Sequence, residues 1–195
     1  QSPVAGAFFS YTSNVDAHWL TAGFGQHEVH EIHGNCETWQ CATRGGCEAV
    51  TTSGSPRRFC GRWPAPPGHR FKVDDESRQA EEGPPLAPAA GVPGTGEPRD
   101  AQAFESNWPK CVTCGERARP AVLMFGDSSY VSDLPSEERF EEWRTSVANL
   151  AGVHAYRVCI LEVGCGGNVT TVRMQTESFL EELRNADVDA TLVRI

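Results

Sequence analysis

Apolar and polar positions alternate or recur regularly in two stretches of the chain, separated by one with no period. At the start, residues 7–12 (Ala-Phe-Phe-Ser-Tyr-Thr) read as a short buried strand. Asp16 is placed to cap a short helix over 17–22, which Gly23 would end. Residues 28–32 alternate polar and apolar side chains and would form a strand that delivers His33 at its end. Residues 53–103 hold most of the prolines and many glycines and show no sustained period. Residues 84–98 in particular read as a flexible insert.

Regular patterning returns after Trp108. Residues 121–125 are a strand candidate, and Ser136 begins a helix of about fifteen residues. Residues 157–163 (Arg-Val-Cys-Ile-Leu-Glu-Val) give the clearest strand. They lead into Gly164-Cys165-Gly166-Gly167 and then a helix over 171–185, with Phe179, Leu180 and Leu183 on one face. Residues 190–195 form a last strand. Strand, glycine-rich turn, helix and strand make a βαβ unit, hence an α/β fold with a parallel sheet.

A length of 195 residues with 39% hydrophobic content suits one domain, or one domain plus a small module. The net charge of −9 argues against direct nucleic-acid binding or an anionic membrane, and fits a basic ligand such as a lysine-bearing peptide. No apolar run approaches the roughly 18 residues of a membrane span. Nothing at the start has the basic-then-apolar build of a secretory signal. Four disulfides are one reading of the eight cysteines. The spacing Cys111-x-x-Cys114 favours another, because it brings two thiolates to one point as tetrahedral zinc requires. A reducing, intracellular compartment, cytoplasmic or nuclear, follows rather than secretion.

Among candidate catalytic groups, His33 stands out, because an imidazole titrates near neutrality and serves as a general base. His27, His30 and His33 are spaced by three, but the string is not His-Glu-x-x-His, so a zincin helix is excluded. The turn at 164–167 opens a helix after a strand, where α/β sheets bind nucleotides; a plain tight turn gives the same string. Cys111 and Cys114 make half of a structural zinc site, with Cys41 the best third ligand. Cys47 is the preferred fourth, and Cys60 is the alternative.

Taken in order, Thr12-Ser13-Asn14-Val15-Asp16, His33-Gly34, Cys41, Cys111-x-x-Cys114-Gly115 and Arg119-Pro120-x-Val122-x-x-Phe125-Gly126-Asp127 resemble the motifs of the sirtuins, the NAD-dependent protein deacylases. The resemblance implies a Rossmann-like parallel sheet, incomplete here, over 1–33 and 121–195. A small zinc-ribbon module would span 34–120 and contain the insert at about 53–103. It implies NAD as co-substrate, a structural zinc ion and an acylated-lysine protein or peptide as partner. His33, Asn14 and Asp16 would be catalytic. Ser13, Asn14, Asp16, Gly164, Cys165 and Gly166 would contact NAD, and Val122, Phe125 and Gly126 the substrate.

In the reaction so implied, the acyl oxygen of an N-acyl-lysine attacks the nicotinamide ribose as nicotinamide leaves. His33 takes a proton from a ribose hydroxyl, and water then frees lysine and O-acyl-ADP-ribose. Departures from the family pattern are Ser13 for glutamine and Gly164-Cys165-Gly166 for Gly-Thr-Ser. The family's N-terminal Gly-Ala-Gly-x-Ser segment has no counterpart in residues 1–8, which implies a fragment of a larger protein that is inactive alone. Other readings are a catalytically inactive zinc- and NAD-binding module, an ADP-ribosyltransferase using the same pocket, and a redox or metal-storage protein built on the thiols.

Overall fold

A computed structural model describes residues 8–43, 61–66, 69–86 and 103–195. Within them, in chain order, lie β1 (Ser10–Thr12), α1 (His18–Thr21), a 3₁₀ turn (Gln26–Glu28), β2 (Val29–Glu31), β3 (Gly34–Cys41), β4 (Trp63–Pro64) and β5 (Ala118–Val122). Then follow α2 (Leu134–His154), β6 (Val158–Glu162), α3 (Thr171–Asn185) and β7 (Ala190–Arg194). The architecture is mixed α/β, with small parallel and antiparallel sheets. The chain divides into two compact units: 1–13, 18–32 and 133–195 form the first, and 14–17 and 33–132 the second.

In the first unit the expected βαβ piece is present. β6 and β7 pair in parallel from Val158↔Ala190 to Glu162↔Arg194, with α3 as the crossover. Phe179 and Leu183 lie one helical turn apart and are buried, meeting Ala151 and Val188 with Trp143 and Val147 around them. β1 and β2 pair in parallel from Ser10↔Val29 to Thr12↔Glu31. Aromatic contacts run from Phe9 to Phe140 and Trp143, and on from Trp143 to Phe179, so α2 serves the cores of both small sheets. α2 is longer than expected and starts earlier. The Asp133 carboxylate accepts from Ser136 N–H at 3.2 Å, and Pro135 lies in the first turn, where its missing N–H costs nothing.

In the second unit β3 is the central strand of an antiparallel β4–β3–β5 sheet. This strand is not foreshadowed by the sequence pattern, for a physical reason. The pairing jumps from Asn35↔Ala121 to Trp39↔Pro120, so Cys36, Glu37 and Thr38 have no partner on β5, although Thr38 pairs with Pro64 of β4, and the period of two is broken. The Asn35 carboxamide oxygen caps the bulge, accepting from Glu37 N–H at 3.0 Å and Thr38 N–H at 2.8 Å. β5 ends at Val122, three residues short of the expected strand, which leaves Phe125 and Gly126 in the loop beyond it.

The core of this unit joins Trp39, Cys41, Trp63, Ala103, Phe104 and Cys111, with Phe71 and Cys114 packed against them. Residues 61–66 and 69–86 thus bring ordered structure to a stretch expected to be a flexible insert. Asn107, buried, fastens them by donating to the Lys72 and Glu81 carbonyls at 2.7 and 2.6 Å and accepting from Lys72 N–H at 2.7 Å. Cys47 and Cys60, and most of residues 84–98, lie outside the described residues.

Candidate functional site

The two ends of β3 carry the candidate chemistry. At its C-terminal end Cys41 pairs with Ala118, which follows the Cys111–Cys114 turn. That turn closes on itself through Gly115 N–H to the Cys111 carbonyl at 2.9 Å, and Gly115 takes the positive φ of 76° that the turn needs. The sulfur atoms of Cys41, Cys111 and Cys114 all lie within 4.8 Å of one another, and Cys41 Sγ stands 3.7 Å from Cys114 Sγ. A disulfide needs about 2.05 Å. Four sulfurs around zinc at about 2.3 Å are separated by about 3.8 Å. The donor set therefore fits a zinc ion with one further ligand and does not fit a disulfide.

The cluster is electrostatically uneven. Burial pushes the Cys114 thiol up to about 12. Burial also works to raise Cys41, but hydrogen bonding to the side chain and backbone of Thr43 and to the neighbouring thiols outweighs it and holds that thiol below its ordinary value. A cation among the three would favour the thiolate at every one, with release of protons.

At the N-terminal end His33, half-buried, leads into Gly34, which has a positive φ of 72°. A Cβ on Gly34 would stand on the Ala121 carbonyl oxygen, so this close approach of β3 to β5 requires glycine. The His33 carbonyl accepts from Leu123 N–H at 2.9 Å, which ties the histidine to the segment bearing Val122. On the bulge, Cys36 N–H donates to the Val15 carbonyl at 2.9 Å, which ties the Asn14–Asp16 loop to the same strand. Asn14, Asp16, His33, Val122, Phe125, Gly126 and the clustered Cys41, Cys111 and Cys114 all belong to the second unit. Ser13, Gly164, Cys165 and Gly166 belong to the first.

The loop after β5 is rigidly held. Arg119 forms an ion pair with Asp127 at 2.5 Å and donates to the Val122 carbonyl at 3.1 Å. Burial works to raise the Asp127 carboxyl, and hydrogen bonds from Ser129 and Arg119 overcome it, so it stays ionised below the usual carboxylate range. Gln40, fully buried, donates to the Ser129 carbonyl at 2.8 Å and accepts from Val131 N–H at 3.0 Å. Between these anchors Met124 is 60% exposed and Phe125 is fully exposed, an apolar strip held open by polar clasps. Gln40 is the site-supporting residue that the sequence does not reveal: it follows a buried tryptophan, where alternation predicts an outward polar side chain.

In the first unit the 164–167 turn leaves β6 with Gly164 at a positive φ of 67°, and α3 begins only at Thr171, with Thr170 at its N-cap, so the turn does not itself open the helix as expected. Gly164 N–H donates to the Ile195 carbonyl at 3.1 Å. No family model and no curated protein matches the chain. No helix among the described residues is long and apolar enough to cross a membrane.

Proposed function

We propose that the chain belongs to an NAD-dependent protein lysine deacylase of the sirtuin type, with a structural zinc ion, a Rossmann-like sheet and a zinc-ribbon module. One observation carries this reading. The strand that begins at His33-Gly34 is hydrogen-bonded both to the Asn14–Asp16 loop, through Cys36 N–H and the Val15 carbonyl, and to the segment after Val122, through the His33 carbonyl and Leu123 N–H. Three motifs distant in sequence thus converge on the start of β3, and its far end enters the three-thiol cluster. His33 is the general base, Asn14 and Asp16 orient the ribose and the attacking water, and the 122–126 segment receives the acyl-lysine peptide. Zinc, held by Cys41, Cys111, Cys114 and one further ligand, braces the fold and takes no part in the chemistry. NAD supplies the electrophilic ribose carbon and carries the acyl group away.

The test is nicotinamide release from NAD in the presence of an acetyl-lysine peptide, assayed in the full protein. General-base help is worth roughly 10²–10⁴ in rate, so His33→Ala is expected to lower turnover by that factor while leaving the fold intact. A variant that retained normal turnover would remove His33 from the mechanism. The fully exposed Phe125 also suits a second reading, an acyl-lysine-binding module without turnover. Peptide binding with no nicotinamide release by the wild type selects that reading. Transfer of ADP-ribose to protein, seen as a mass gain, selects a transferase.

A further inference from the structure

The end of β6 carries a buried carboxylate that the proposed chemistry leaves unused. Glu162 has a side chain with no exposed surface. It accepts from Arg194 Nε at 2.7 Å and Nη2 at 2.9 Å, and from the Thr176 hydroxyl at 2.9 Å. Hydrogen bonds from Arg194 are the main reason that its carboxyl is held below the usual range. These three bonds already satisfy the carboxylate. Arg173 Nε nevertheless stands 3.3 Å from the same carboxylate and donates to the Cys165 carbonyl at 3.0 Å.

That second contact reaches an otherwise bare turn. Cβ atoms built on Gly164, Gly166 or Gly167 would meet nothing within 4 Å, so the side of the turn on which a side chain would stand is open at these three residues. Open space above a glycine turn at the carboxyl end of a parallel pair is where a ribose or phosphate oxygen can approach backbone N–H groups. A turn so exposed needs an anchor to hold those groups in one orientation.

We propose that Glu162 and Arg173 are positioning residues for this turn: the carboxylate fixes the guanidinium, and the guanidinium fixes the Cys165 carbonyl and so the peptide groups of Gly166 and Gly167. The inference rests on the reading of the turn as a contact for the ADP-ribose half of NAD. Arg194, held also by Glu177 at 2.8 Å, makes the guanidinium hydrogen bonds to Glu162, so the Arg173 N–H beside that carboxylate donates to the Cys165 carbonyl.

The discriminating variant is Arg173→Met in the full chain, because Glu162 keeps Arg194 and Thr176 and the fold is retained. Two readouts are taken: hydrogen exchange of the 164–167 amides, and titration with ADP-ribose. Exchange is expected to quicken at the turn and ADP-ribose to bind about tenfold more weakly, as the loss of one charge-assisted hydrogen bond predicts. Thermal stability should barely change, and Arg173→Lys should restore most of the affinity. Unchanged exchange and affinity in a wild type that binds ADP-ribose and releases nicotinamide overturn this inference alone. Failure of the wild type to bind ADP-ribose overturns it together with the NAD reading.

Discussion

The β6–α3–β7 piece and the thiol-bearing core of the second unit are held together in different ways. In the former, neighbours in space are neighbours in sequence, and one amphipathic helix closes over the strands it connects. In the latter, the core draws on residues 39–41, 63, 71, 103–104 and 111–114, and no single segment buries an apolar face of its own. The first kind of core is stabilised by apolar area at local cost. The second must close long loops before any contact forms, and a metal held by its three thiols would offset that entropy.

The largest test of that difference is metal removal. Cys114→Ser, or a strong chelator, is expected to release zinc and unfold the second unit, since structural zinc contributes on the order of 10 kcal/mol. Helical circular dichroism from α2 and α3 should largely survive while the signal of Trp39 and Trp63 collapses. Unchanged zinc content by elemental analysis would count against the site. The converse change is Leu183→Ala, at a fully buried position in the first unit. It should cost about 2–5 kcal/mol in denaturant unfolding and leave zinc content untouched. Loss of metal from that variant would show that the two cores are not independent.

Gly34→Ala should cost about 2–3 kcal/mol, because it adds a clash to a left-handed backbone. A melting temperature equal to wild type would mean that β3 and β5 separate more readily than their register implies.

The smallest expected effect is on pH dependence. Burial lowers His69 from its ordinary 6.5. Its ring lies edge-on to Phe71 and Phe104, and neither ring nitrogen has a hydrogen-bond partner among the described residues. The unfolded chain takes up the proton first, so stability is level above about 6.5 and falls as pH drops below it. His69→Leu should flatten that decline. His30, lowered by burial in the first unit, has the same sign and leaves a remainder. A slope unaltered by His69→Leu would place the titration elsewhere.

These contrasts also explain what could be read from the sequence. The βαβ piece was legible because an apolar run, a glycine turn and a helical period follow one another along the chain, and the helix over 171–185 matches residue for residue. The thiol cluster was legible from Cys111-x-x-Cys114 and Cys41 by ligand chemistry alone. β3 was hidden by its bulge, and the ordering of 61–66 and 69–86 by the surrounding prolines, since neither Trp63 nor Phe71 lies in a periodic run. The supports at Gln40 and Arg119–Asp127 arise from contacts across the fold, which no local pattern encodes.

The three bulged residues of β3 have an engineering consequence. They uncouple the facing of the two strand ends, so that the histidine end and the cysteine end need not share one pleat. Excising Cys36 or Glu37 would turn one end over relative to the other, while Thr38 keeps its place opposite Pro64. A shortened chain of that kind would keep its three thiols together with its histidine end reversed, which tests each end of the strand by itself.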